Sequence, residues 1–141
     1  HLPTVMNAVI NLDEAWNTPL AKFKTPYEYV ISALRLTGIE PTPQQAVMGL
    51  EALNFRVFNA SSPAGYDDTA ESWAASDAVM KRIEWGQKLS QRLPATNNPI
   101  QLAQAGLGDA LSAITKQTIE RAASGADGIA LLLASPEFQR R

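Results

Sequence analysis

The sequence predicts an all-α fold: an irregular bundle of six to eight helices with one long ordered loop over 55–73. Three observations carry this. Thr25, Thr42, Asn98 and Ser135 each stand directly before proline, and a capping side chain followed by proline at the first helical position marks a helix start. Between those starts apolar residues recur at three- and four-residue spacing. No run alternates apolar and polar residues with the period of a strand. The cap signals do not recur at a fixed interval, which argues against a solenoid.

Taken in order, Thr4 is the expected cap of a short helix with Val5, Met6, Val9 and Ile10 on one face. A second turn, Leu12–Trp16, puts Trp16 in the core. Thr25-Pro26-Tyr27-Glu28 is a capping box, in which hydroxyl and carboxylate each satisfy a backbone N–H that lacks a helical partner. That helix is expected to run to Thr37, with Gly38 as its left-handed stop and Tyr27, Val30, Ile31 and Leu34 as its buried stripe. Thr42-Pro43-Gln44-Gln45 repeats the device with glutamine. Its helix reaches about Leu53, with Ala46, Val47, Leu50 and Leu53 inward and Asn54 as the stop.

Ser76 is expected to cap the longest helix, about Asp77–Leu93, ended by Pro94. Val79, Ile83 and Gly86 form one line on it; Trp85, Leu89 and Leu93 form the next. A mid-helix glycine costs about 1 kcal/mol against alanine, so Gly86 implies a close approach by a neighbouring helix or by the loop. Glu84 reads as an exposed residue paired with Lys81 or Lys88. Asn98-Pro99 opens a short helix to about Ala105, broken by Gly106 and Gly108. Ser112 starts a helix through Ala123, anchored by Ile114 and Ile119. After the Ser124-Gly125 break, Gly128–Ala134 is nearly all apolar, which predicts a helix buried on most sides. Ser135-Pro136-Glu137-Phe138 begins a last turn.

The loop Phe55–Trp73 breaks this pattern. It carries Pro63, Gly65 and the rings of Phe55, Phe58, Tyr66 and Trp73. Aromatic residues in a loop of this length predict an ordered segment pinned by its own rings. Phe58 and Trp73, which bracket Pro63-Ala64-Gly65, are expected to pack near Gly86.

At 141 residues the chain reads as a single helical domain over 1–141, large enough to bury a core. A hydrophobic share of 45% against 18% charged places it among globular chains. The net charge of −2 and the lack of a basic block argue against a nucleic-acid partner. No cysteine is present, which removes disulfides, thiolate metal sites and cysteine nucleophiles. The longest aliphatic run, Ile129–Ala134, falls far below the ~20 residues of a membrane span, so no membrane insertion is expected.

Several stretches together resemble the C-terminal part of a bacterial family, domain of unknown function 1800. They are LDEAW (Leu12–Trp16), KFKTPYEYVISALRLTG (Lys22–Gly38), the loop core SPAGY with Trp73, KRIEW (Lys81–Trp85) and LLLASPEFQRR (Leu131–Arg141). The resemblance spans nearly the whole chain, and its last eleven residues are the most specific part. A tryptophan commonly follows the loop glycine in that family; here the residue is Tyr66, which keeps a ring with a polar edge. The resemblance implies a helical segment at the C-terminal end of a longer exported or periplasmic protein. It also implies the N-terminal part of the same chain as a partner, with another protein beside it. It implies no mechanism.

Chemistry-bearing patterns are sparse. The one histidine is His1, so paired-histidine metal motifs are absent. Asp67, Asp68 and Glu71 could offer oxygens to a cation, but the central glycine and spacing of a calcium loop are missing. Ser61 and Ser62 have no internal histidine to activate them, and glycines 106, 108, 125 and 128 lack the lysine and strand context of a phosphate loop. No catalytic residue, metal site or cofactor is therefore assigned. Tyr66, Asp67, Asp68, Glu71 and Trp73 form the candidate ligand surface, because rings beside short polar groups suit carbohydrate or peptide. The expected function is a non-catalytic helical interaction or packing module of an exported bacterial protein. The alternatives are one wall of an enzyme site completed by a preceding N-terminal part, and a carbohydrate-binding module.

Overall fold

The computed structural model describes residues 1–14, 22–67 and 69–141. Among them eight α-helices follow one another: α1 (Leu2–Ile10), α2 (Pro26–Thr37), α3 (Pro43–Ala52), α4 (Ala70–Trp73), α5 (Ser76–Ser90), α6 (Pro99–Leu107), α7 (Ala113–Glu120) and α8 (Gly125–Ala134). A single 3-10 turn, Gly108–Ala110, follows α6, and none of the described residues forms a strand. The all-α bundle is therefore observed. Trp16 lies outside the described residues.

Local chemistry sets most helix starts. Thr25 and Thr42 both form complete capping boxes: the Glu28 carboxylate and the Gln45 amide oxygen accept from the cap N–H at 2.9 and 3.0 Å. Asn98, Ser112 and Ser124 each accept from N–H groups of their first turns. Gly38 ends α2 at φ +69, the left-handed stop. Three starts depart from expectation. The first helix begins at Leu2, so Thr4 lies within it and its hydroxyl meets His1 Nδ1 at 3.0 Å. α5 begins at Ser76 with Ala75 as its cap residue and no side-chain cap. Ser135 accepts from the Phe138 N–H at 3.2 Å, capping a hydrogen-bonded turn instead of a helix.

The core is organised around α8, the apolar segment, which buries Gly128, Ile129, Leu132 and Leu133 among α5, α6 and α7. A main cluster gathers Tyr29, Val30, Leu50, Leu89, Ile129, Leu133 and Phe138, and a smaller one joins Ala103, Ile119 and Leu132. At Gly86 the α5 backbone comes close to α8: an added Cβ would meet Tyr29 Oη at 3.0 Å and Leu133 Cβ at 3.3 Å. The neighbours are thus the Tyr29 ring and α8. Phe58 and Trp73 do not fill this space: Trp73 packs on Phe55, and Phe58 is exposed.

Periodicity misplaced several faces. On α2 the buried residues are Pro26, Tyr29, Val30 and Ala33, whereas Tyr27 is half exposed and Ile31 and Leu34 are partly covered. The face turns because the Tyr29 ring fits edge-on between Trp85 and Phe138, and small Ala33 sits at the contact. On α3 Leu50 and Gly49 are buried while Val47 stays exposed. On α7 Ile119 is an anchor, but Ile114 is 79% exposed. Gly106 lies inside α6 and the break falls at Gly108, φ +51.

The two most unlike parts of the molecule are its ends. α1 buries none of its residues. Residues 135–141 instead run antiparallel to Lys22–Lys24. Lys22 N–H donates to Arg141 O at 3.1 Å, Arg141 N–H returns to Lys22 O at 2.9 Å, and Lys24 N–H donates to Gln139 O at 2.8 Å.

Candidate functional site

Two polar assemblies stand out: the groove beside the loop and the buried cation network under residues 135–141. The loop is ordered, and its last turn coils into the short helix α4. Asn54 and Phe58 take left-handed conformations, φ +59 and +56, and turn the chain away from α3. Tyr66 stacks on Phe55 at 4.5 Å between centroids. Its hydroxyl donates to the Arg56 carbonyl and accepts from the Asn59 N–H at 3.0 Å. Trp73 packs on Phe55 at 6.2 Å and donates its indole N–H to the Asp67 carbonyl at 2.8 Å. Phe55 is thus the peg under both rings. Phe58 is 100% exposed.

Tyr66, Asp67 and Trp73 share one open groove of about 790 Å3 with Glu51, Asn54, Arg56 and Asn59. Glu71 is exposed on α4 and is not part of that wall, and Asp68 lies outside the described residues. Arg56 and Asn59 escaped the sequence reading because they join through backbone atoms, which leave no side-chain signature. Both ring residues use their polar edges to hold the loop, so the groove offers partly covered ring faces and few free donors. Glu84, expected to pair with Lys81 or Lys88, is exposed and forms neither ion pair, because no carboxylate–ammonium approach is closed along this face of α5. Among the described residues no three His, Asp or Glu side chains gather as metal ligands.

The second assembly centres on Arg82, 1% exposed on the inner face of α5. Its guanidinium donates to Gln139 Oε1 at 3.0 Å and to the Lys24 carbonyl at 2.7 Å. It lies over the Phe23 ring at 4.5 Å and the Tyr29 ring at 5.3 Å. Planar fork geometry and weak hydration suit arginine to such stacking. Burial lowers its pKa to about 10, partly offset by Tyr29 and the Glu28 carboxylate. Burial also pushes the Tyr29 hydroxyl well above its ordinary range, while that hydroxyl donates to the Arg82 carbonyl at 3.2 Å. Gln139 Nε2 donates to Leu133 O at 3.0 Å and closes the network.

Its outer rim is held by charge. Lys24 Nζ donates to the Phe138 carbonyl at 2.7 Å and sits 4.2 Å over the Phe138 ring. Burial lowers the Lys24 pKa, with Glu28 opposing and Arg82 adding to the shift. Arg141 Nε meets Glu28 Oε1 at 2.7 Å. Burial raises the Glu28 pKa, but the Thr25 N–H and Arg141 outweigh it, so the net shift is downward. Glu137 is likewise lowered: burial is outweighed by bonds from Ser112, its own backbone N–H and Thr115, whose hydroxyl donates at 3.0 and 2.9 Å. Perturbed groups cluster at active sites, yet Arg82 and Gln139 are sealed from solvent. The network can lock residues 135–141 down.

No helix among the described residues is long and apolar enough to cross a membrane. Comparison with curated proteins and with solved structures returns no match. The profile of a family described as a protein of unknown function, DUF1800, matches residues 1–140. The network takes up Arg82 of KRIEW, Phe23 and Lys24, and Phe138, Gln139 and Arg141 of the final eleven residues; with the profile spanning residues 1–140, the chain belongs to the DUF1800 family.

Proposed function

We propose that this chain is a non-catalytic helical interaction module of an exported bacterial protein, docked through α1 onto the preceding part of its own polypeptide. One observation carries the reading. Leu2, Val5, Met6, Val9 and Ile10 on α1 are each 52 to 80% exposed, and contiguous exposed apolar surface marks an interface. α1 has neither lysine nor arginine, so it lacks the basic face of a helix that lies on an anionic membrane. A protein surface is the occupant that fits. The resemblance implies a longer N-terminal part before such a segment, and that part is the occupant we propose.

Phe58 adds a second anchor. A fully exposed phenylalanine at φ +56 is unfavourable in a free chain, and strain of this kind concentrates at binding and switch positions. The carbohydrate reading gains less, because Tyr66 and Trp73 spend their polar edges on the loop.

Hydrogen exchange on the full-length protein and on residues 1–141 alone tests the proposal. Amides of α1 should be protected in the full-length protein and exchange fast in the segment. Met6→Asp with Val9→Asp should destabilise the full-length protein and leave the segment unchanged. Equal exchange of α1 in both contexts sinks the reading. A dimer of the segment that the double variant dissolves replaces the proposed occupant with a second copy.

A further inference from the structure

α2, α3 and α5 enclose a separate groove of about 280 Å3, remote from the residues of α1 and of the loop. Its floor is Val30, Leu34 and Leu89, and Met48 and Trp85 flank it. Gly49 makes the flank possible: an added Cβ there would meet Trp85 Nε1 at 3.1 Å, so the indole lies directly on the α3 backbone. The volume sits just below the usual range of small-ligand sites, about 300–1,000 Å3. It suits one narrow apolar chain better than the face of a helix.

Charge decides the other end of the ligand. Lys88, in the last turn of α5, and Arg92, in the turn that follows the helix, both lie on the groove wall and both are exposed. No carboxylate of the described residues comes within 4.0 Å of either cation, and the wall itself contains no aspartate or glutamate. An apolar trough with two unpaired cations on its wall is complementary to a single-chain amphiphilic anion.

We propose that this groove binds a monoanionic single-chain amphiphile of the long-chain carboxylate class, its head between Lys88 and Arg92 and its tail on the Val30, Leu34 and Leu89 floor. The site is independent of α1 docking, so either proposal can fail alone.

Calorimetric titration of the full chain with decanoate, against decanol as the uncharged control, reads it out. Decanoate should saturate at one per chain and bind about tenfold more tightly than decanol. That factor equals about 1.4 kcal/mol, two exposed ion pairs of ordinary strength. Lys88→Gln with Arg92→Gln, both at exposed positions, should abolish the tenfold preference while leaving decanol binding unchanged. Ala46→Phe, checked for native helicity, should block both ligands by filling the trough. Equal affinity for decanoate and decanol, a preference that survives the double Gln variant, or saturation by a glutamate-rich amphipathic peptide but not by decanoate would each overturn the proposal.

Discussion

The two ends of the described chain solve opposite problems. Residues 135–141 bury Ser135, Phe138 and Gln139 and tie them to α2, α5 and the Lys22–Lys24 segment. α1 is far more apolar than residues 135–141, yet it buries none of its residues. The more apolar end is the exposed one, so partners rather than composition set the difference. One end is sealed by groups of its own chain, while the other stays exposed. Damage to the sealed end should therefore appear as lost stability, and damage to the open end only in a complex.

The largest effect should come from the sealed end. Phe138→Ala removes a ring in contact with Tyr29 and Lys24 and should cost about 3–5 kcal/mol in urea unfolding. A cost under 1 kcal/mol would show that the end is not sealed. Arg82→Met should follow at about 1–3 kcal/mol, because Gln139 Oε1 is left buried without a donor. Removing a buried cation also removes its dehydration, which keeps this below the phenylalanine loss.

Thr25→Ala and Thr42→Ala should each cost about 1 kcal/mol, since each strands a helix-end N–H. The Thr25 hydroxyl also donates to Glu28 Oε2 at 3.2 Å, and Glu28 meets Arg141, so its loss should loosen residues 139–141 where Thr42→Ala does not. Exchange rates of the Arg141 amide separate the two variants.

Acid should act more mildly on the same end. The folded-state pKa values of Glu28 and Glu137 lie below the ordinary 4.5. The unfolded chain then binds more protons in that window, so stability rises with pH across it. Their contribution is complete above pH 4.5 and fades as pH falls through the lowered values. Glu28→Gln with Glu137→Gln should flatten that part of the stability profile. An unchanged acid slope would remove both carboxylates from the lock. The smallest effect belongs to the open end: Val9→Ser should shift the stability of residues 1–141 by no more than about 0.5 kcal/mol. A larger loss would mean that α1 is covered after all.

Legibility followed locality. Both capping boxes, the Gly38 stop and the Asn98 and Ser112 starts could be read because each is written within four residues; Ser124, read as a break, is the cap of α8. The buried face of α2 could not, because Tyr29 is chosen by Trp85, Phe138 and the Arg82 carbonyl, all distant in sequence. Arg82 reads as a solvated charge until Phe23, Gln139 and the Lys24 carbonyl are placed around it. The loop was legible as ordered, but not that Phe55 would be its peg and Phe58 its free tip. Of the candidate surface, Tyr66, Asp67 and Trp73 come together in one groove, while Glu71 stays outside its wall.

The pairing of Lys22–Lys24 with residues 139–141 also has a consequence for how the protein is made. The Lys24–Phe138 bond links positions 114 apart, so the chain between them must be collected before the contact forms. On the ribosome the main cluster lacks Phe138 and the Arg82 cation lacks Gln139 until residues 138–141 have emerged.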